Sequence, residues 1–120
     1  MPMTFSGTSG ITYPSGTLEG DASIGYGQTW QNVLSSRTYN TTYTNTTGKP
    51  IMVAVCTGNN GQTGNPSMSL VVGGITTGGQ SQDSSSYAIS SQSAIVPNGV
   101  TYRLTTGNGS MSLNYWAELR

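Results

Sequence analysis

The apolar residues of this chain recur at every second position, and this period constrains the fold more than any other feature. Met68, Leu70 and Val72 follow it in one segment, and Tyr102 and Leu104 follow it in another. A period of two places one face of a β-strand against a core, whereas an amphipathic helix needs a period near 3.6. The segments are short, rich in Val, Ile, Thr and Tyr, and separated by Gly, Asn and Pro. The chain is therefore predicted to be all-β, with almost no helix.

Turn residues divide the chain into seven or eight predicted strands. The predicted strands cover residues 38–44, 50–57, 67–72, 75–77, 93–96, 100–106 and 111–119. Pro97, Asn98 and Gly99 predict a tight hairpin, because Asn-Gly readily adopts a left-handed backbone. Strands this short, with turns about every 8 to 12 residues, indicate an antiparallel β-sandwich of the jelly-roll-like kind. Residues 27–36 are the one stretch where a short helical turn competes.

The chain of 120 residues has the length of one domain. Its N-terminal segment has no core of its own. Residues 1–25 lack a sustained apolar face, so we expect an extended N-terminal arm that must pack against another surface. Residues 26–120 are expected to form the β-sandwich domain. No apolar run approaches the roughly 18 residues that span a bilayer, and no secretion signal is recognisable. We therefore expect a soluble chain without membrane insertion.

The charge content argues against nucleic acid as a partner. Charged residues make up 7% of the chain, and four acidic residues balance four basic ones. Phosphate binding needs clustered cations, but Arg37, Lys49, Arg103 and Arg120 are scattered along the sequence. The polar surface is expected to consist of Ser, Thr, Asn, Gln and Gly.

The thin apolar core predicts assembly into oligomers. Small domains with little core depend on disulfides, metals or association. The single cysteine, Cys56, cannot form an internal disulfide, and its apolar run predicts a buried, inert thiol. The absence of histidine removes the usual zinc ligand. Association is the remaining means of stabilisation.

The sequence predicts no catalytic residues, no metal site and no cofactor. Without histidine, the usual nucleophilic triad cannot form. The acids are Glu19, Asp21, Asp83 and Glu118, and none of their spacings favours a glycosidase pair. Asp83 stands apart from other carboxylates, which argues against calcium. The chain is predicted not to be an enzyme.

Three stretches resemble the C-terminal domains of bacteriophage and prophage tail fibre proteins. These are ITYPSGT at residues 11–17, GYGQTWQNV followed by SRTYNTTYTNTTGKPIMVAV within residues 25–55, and NYWAELR at residues 114–120. The resemblance implies a homotrimeric β-sandwich in the virion tail fibre, made in the bacterial host cytoplasm. It also implies contacts with other virion tail proteins and a distal surface that binds bacterial surface polysaccharide. Residues 26–120 would then be the β-sandwich receptor-binding domain, and the arm of residues 1–25 would lean on neighbouring subunits. For Trp30 and Trp116 we expect packing in the core or between subunits, with an exposed sugar platform as the alternative.

Two polar loops are the candidate glycan-binding surface. Sugars are bound by aromatic faces together with amide, hydroxyl and carboxylate hydrogen bonds, and variable loops are where specificity resides. The first loop covers residues 58–66 and the second covers residues 80–87. The candidate binding residues are Asn59, Asn60, Gln62, Asn65, Gln82, Asp83 and Tyr87.

Three functions are compatible with these observations. The first is the tip of a tail fibre that binds a host glycan without catalysis. The second is a structural virion component, such as a baseplate or fibre connector or a capsid decoration protein, without a glycan site. The third is an accessory domain of a depolymerase. Binding to intact host cells separates the first from the second, and release of reducing sugar would favour the third.

Overall fold

The described part of the chain forms eleven β-strands, three of them before residue 24. The structure, a computed structural model, describes residues 4–6, 10–13, 16–18, 24–60, 64–81, 87–107 and 111–120. The strands are β1 Thr4–Ser6, β2 Gly10–Tyr13, β3 Gly16–Leu18, β4 Trp30–Asn32, β5 Tyr43–Thr44, β6 Ile51–Asn60, β7 Ser67–Val72, β8 Ile75–Ser81, β9 Tyr87–Val96, β10 Thr101–Gly107 and β11 Ser112–Leu119. The described residues contain no α-helix. The predicted all-β class is confirmed.

Two antiparallel four-stranded sheets form a sandwich-like domain. The first has the strand order β4-β11-β6-β9 and is called the β11 sheet. The second has the order β5-β10-β7-β8 and is called the β10 sheet. Eight strands in these two sheets agree with the seven or eight predicted. No helix among the described residues has the length and apolar character needed to cross a membrane.

One apolar core fills the space between the sheets. In β6, Ile51, Val53 and Val55 are buried, as the two-residue period requires. The other buried apolar residues are Met68, Leu70, Val72, Val96, Tyr102, Leu104, Met111 and Trp116. Both sheets therefore supply core residues from alternate positions of their strands. Full burial of an aliphatic side chain of this size contributes about 1.5–3 kcal/mol.

The hairpin between β7 and β8 turns on two glycines. Gly73 and Gly74 have φ angles of 58° and 81°. Two consecutive left-handed residues are typical of the type I′ turn, whose twist matches that of the flanking strands. This turn fixes the register that pairs Val72 with Ile75.

The predicted hairpin at Pro97, Asn98 and Gly99 is wrong. The turn exists, and Gly99 has a φ of 79°, but β9 and β10 lie in different sheets, so it links the sheets. Buried Asn45 explains the change, because its backbone oxygen accepts from the Gly99 amide at 2.8 Å. Its side-chain amide also donates to the Val96 carbonyl at 2.9 Å.

The predicted strand over residues 38–44 is also wrong for most of its length. Asn40 has a φ of 58°, and its backbone N–H donates to the Leu104 carbonyl at 2.8 Å. This left-handed residue breaks the alternation, so only Tyr43–Thr44 forms a strand. The predicted helical turn is present as a 3₁₀ turn, Leu34–Ser36.

The N-terminal segment contains a small sheet. β1, β2 and β3 pair antiparallel in that order. The prediction of residues 1–25 as an arm separate from a domain of residues 26–120 stays a prediction.

Candidate functional site

The strand ends that flank the candidate loops lie at one end of the sandwich. Asn60, the last residue of β6, pairs with Tyr87, the first residue of β9. In the other sheet, Ser67 at the start of β7 pairs with both Ser81 and Gly107. These strand ends lie at the same end of the sandwich, which we call the loop end.

The structure places three of the candidate residues in a different type of secondary structure from the predicted one. Asn59, Asn60 and Tyr87 were predicted in loops but belong to strands, because the β6–β9 ladder extends to the pair of Asn60 with Tyr87. Asn65 is exposed and has a φ of 49°, as expected for a polar turn residue. Gln62, Gln82 and Asp83 lie outside the described residues.

A fully buried carboxylate, Glu118, lies away from the loop end near the close of β11. Arg37 holds it in bidentate fashion, with Nε donating to Oε1 at 2.9 Å and Nη2 donating to Oε2 at 3.1 Å. The Tyr102 hydroxyl donates to Oε1 at 2.8 Å, and the Trp116 indole donates to the same oxygen at 3.2 Å. Arg120 Nη1 donates to Oε2 at 2.8 Å. Five hydrogen bonds thus converge on one carboxylate.

These contacts determine the ionisation of the cluster. Burial alone would raise the pKa of Glu118, but hydrogen bonds from Arg37 and Tyr102 and the nearby arginine charges lower it below its ordinary value. Burial and the hydrogen bond to Glu118 raise the pKa of Tyr102 to about 12. At neutral pH the carboxylate is ionised and the phenol is protonated.

The Glu118 cluster is suited to holding the fold together. Both carboxylate oxygens are occupied by donors, so neither is available to transfer a proton to a substrate. Aromatic rings complete the cluster, since the Arg37 guanidinium lies 4.4 Å from the centre of the Tyr43 ring. The Tyr43 ring in turn meets Trp116 edge-on at 5.9 Å. Trp116 is therefore a core residue, as predicted.

A second feature was not predicted from the sequence, namely an apolar surface on the side of the β11 sheet that faces away from the core. We call this surface the outer face. Its exposed large residues are Trp30 at 53%, Tyr115 at 67%, Ile89 at 72% and Ile95 at 56% exposure. Trp30 therefore does not pack in the core of its own subunit.

The outer face contains a groove of about 410 Å³. Trp30 and Tyr115 are its large aromatic lining residues. Small side chains from the central strands, Ala54, Cys56 and Ala117, also line it. Ser91 and Ser93 of β9 supply its polar side chains, whereas the side chain of Gln92 lies on the core side of the sheet, against Gly78 of β8. The groove thus combines bulky aromatic side chains with small residues.

The prediction of a buried Cys56 is wrong, and the reason for this error also shows which sequence signal indicates the outer face. Cys56 is partly exposed, because Val55 and Thr57 take the two neighbouring inward positions of β6. In an ordinary two-layer sandwich, the outward positions of such a strand are polar. The continuous apolar run IMVAVC instead indicates a strand with two apolar faces.

Metal ligands do not cluster in the described part of the chain. No group of three or more Cys, Asp or Glu side chains lies close enough together there to hold an ion. No protein-family model matches the sequence. No curated protein matches it either.

Proposed function

We propose that this chain is the tip of a bacteriophage tail fibre, a receptor-binding module that attaches the virion to a bacterial surface glycan. The module works as a homotrimer and has no catalytic role. Residues 1–25 join it to neighbouring subunits and to other tail proteins. The loop end of the sandwich carries the binding surface.

The convergence at the loop end is the observation that carries this proposal. Two polar segments that are separated in sequence come together where Asn60 pairs with Tyr87. A rigid β scaffold that presents adjacent polar loops is a common arrangement for recognition. Amide, hydroxyl and aromatic groups are the side chains that an uncharged or weakly charged glycan needs. The low charge of the chain fits such a ligand better than it fits a polyanion.

The Glu118 cluster lies in the stretches that carry the resemblance to tail fibre domains. Arg37 belongs to the SRTY stretch, and Trp116, Glu118 and Arg120 belong to the closing WAELR stretch. These two stretches meet at one carboxylate although Arg37 and Glu118 are 81 residues apart in the chain. The resembling residues therefore build one buried contact of the fold.

Binding of the fluorescently labelled chain to a panel of intact bacterial strains tests the proposal. Asp83→Ala combined with Tyr87→Ala is expected to lower binding about tenfold or more, since loss of buried polar and aromatic contacts at the centre of a site costs at least about 1.4 kcal/mol. Thr46→Ala is the matched control, because exposed Thr46 lies between β5 and β6 at the opposite end of the sandwich. The control is expected to bind like the parent chain.

The outcomes separate the candidate functions. Binding that is lost after enzymatic removal of surface polysaccharide supports the glycan-binding tip. Binding to no strain across a broad panel, or equal binding by the parent and the loop variant, counts against it and favours a connector or decoration role. Release of reducing sugar from polysaccharide would contradict the non-catalytic assignment.

A further inference from the structure

The outer face of the β11 sheet differs in chemistry from the outside of the β10 sheet. The outward side chains of the β10 sheet include the exposed residues Thr101 and Arg103, as well as Ser69. The large exposed residues of the outer face are apolar or aromatic, and its described residues include no charged side chain. Large exposed apolar patches are uncommon on monomeric proteins and mark sites of association.

The pairing of strands makes this apolar surface continuous. Leu119 pairs with both Trp30 and Met52, and Met52 pairs with Ile95. These four residues form one row across all four strands of the sheet. Directly opposed side chains in neighbouring strands are close enough to contact one another. The face therefore carries one continuous apolar row across the sheet.

The size of the face suits a protein partner. With strands about 4.8 Å apart and about 3.3 Å per residue, four strands of about eight residues cover roughly 500 Å². In the proposed homotrimer, three such faces turned towards the three-fold axis would together bury roughly 1,500 Å², with each face in contact with both neighbouring copies. The face can therefore support association of a small domain.

The chemistry of the groove favours another copy of this chain over a sugar. Ser91 and Ser93 supply polar side chains on one side, whereas the other side chains that face the groove are apolar or aromatic, so few groups could bond to sugar hydroxyls. An uncharged surface has no repulsion with a copy of itself. Trp30 and Tyr115 are also rings of the kind that a groove lined by small residues can receive.

We infer that the outer face, with Trp30 and Tyr115 at its groove, is the surface through which copies of this chain associate. This inference rests on the proposed function in one respect, since it gives the homotrimer its contact surface. The other copies cover Cys56 and the groove, while the loop end stays open to a ligand. Association then buries the second apolar face of β6.

Two measurements on the full chain test the inference together. Light scattering gives the mass in solution, and the reaction rate of Cys56 with a thiol reagent reports whether the outer face is covered. Cys56 is suited to this because it is the single cysteine and is partly exposed in one subunit. The parent chain is expected to have a mass above the 12.5 kDa of one copy and a slowly reacting thiol.

Ile95→Lys is the test variant, and Ile75→Lys is its matched control. Both isoleucines are exposed, at 56% and 69%, and both lie in edge strands, but Ile75 belongs to the β10 sheet. A lysine at position 95 is expected to shift the mass to one copy and to speed the Cys56 reaction about tenfold, because dissociation removes the state in which Cys56 is covered. A lysine at position 75 is expected to change neither. Circular dichroism checks that both variants fold.

Each outcome is decisive for the inference. A monomeric parent chain, or an oligomer whose Cys56 reacts as fast as that of Ile95→Lys, would overturn it. Equal dissociation by both lysine variants would also overturn it. The loop-end variant can lose glycan binding while its mass and its Cys56 protection stay unchanged, and such a result concerns only the loop end. A failure of the proposed receptor role is therefore distinguishable from a failure of the association inferred for the outer face.

Discussion

At the residue scale, Glu118 is the side chain on which most of the polar core depends. Replacing it with Gln keeps the shape but removes the charge that compensates Arg37 and Arg120. Breaking a buried ion pair in this way costs about 3 kcal/mol. We therefore expect Glu118→Gln to lower the free energy of unfolding by about that amount in urea denaturation. Arg103→Gln removes an exposed charge from the outside of the β10 sheet and should stay within about 0.5 kcal/mol of the parent.

The ionisation of Glu118 also predicts a dependence of stability on acid. Its pKa is lower in the folded chain than its ordinary value of 4.5, so the unfolded chain binds more protons there as the pH falls. The contribution of Glu118 is fully present above that ordinary value and is lost as the pH drops through the lowered value. We expect the difference in unfolding free energy between the parent and Glu118→Gln to shrink from about pH 7 to about pH 3. A constant difference across this range would show that Glu118 acts without its charge.

At the element scale, the β7–β8 turn is the clearest case of a backbone requirement. A Cβ on Gly74 would meet no atom within 4 Å, so only its φ of 81° opposes a side chain. Asn tolerates a left-handed backbone and branched residues do not. We expect Gly74→Val to lower the free energy of unfolding by about 1–2 kcal/mol, and Gly74→Asn to lower it clearly less. Equal losses in thermal unfolding would mean that the turn does not need this conformation.

The elements that the sequence predicts well are those whose pattern is local. Alternation alone located β7 and β10, and each begins or ends within one residue of its predicted bounds. The link from β9 to β10 could not be predicted, because buried Asn45 sets it through contacts distant in sequence. The Arg37–Glu118 pair could not be predicted either, because its two residues are distant in sequence. The outer face could in principle have been predicted from the sequence, since the apolar run in β6 lacks the polar alternation of a strand with one buried face.

Among the candidate glycan-binding residues, the structure pairs Asn60 with Tyr87, and the sequence could predict only the types of these residues. Nothing in the two polar segments indicates that Asn60 and Tyr87 are paired, because pairing depends on the register of β6 with β9. Trp30 illustrates the opposite case. Its size suggested burial, but β4 is an edge strand and places it on the exposed side of the sheet.

At the scale of the whole molecule, an assembly held by an uncharged face should respond to salt in a characteristic way. Screening weakens contacts between exposed charges, whereas salts such as sulfate strengthen the burial of apolar surface. We expect the mass in solution to be the same in about 0.05 M and about 1 M NaCl, and we expect sulfate to stabilise the assembly against dilution. Light scattering over a dilution series measures both. Dissociation at high NaCl would show that charged groups such as Arg103 or Lys49 hold the copies together, and the contact would then lie away from the outer face.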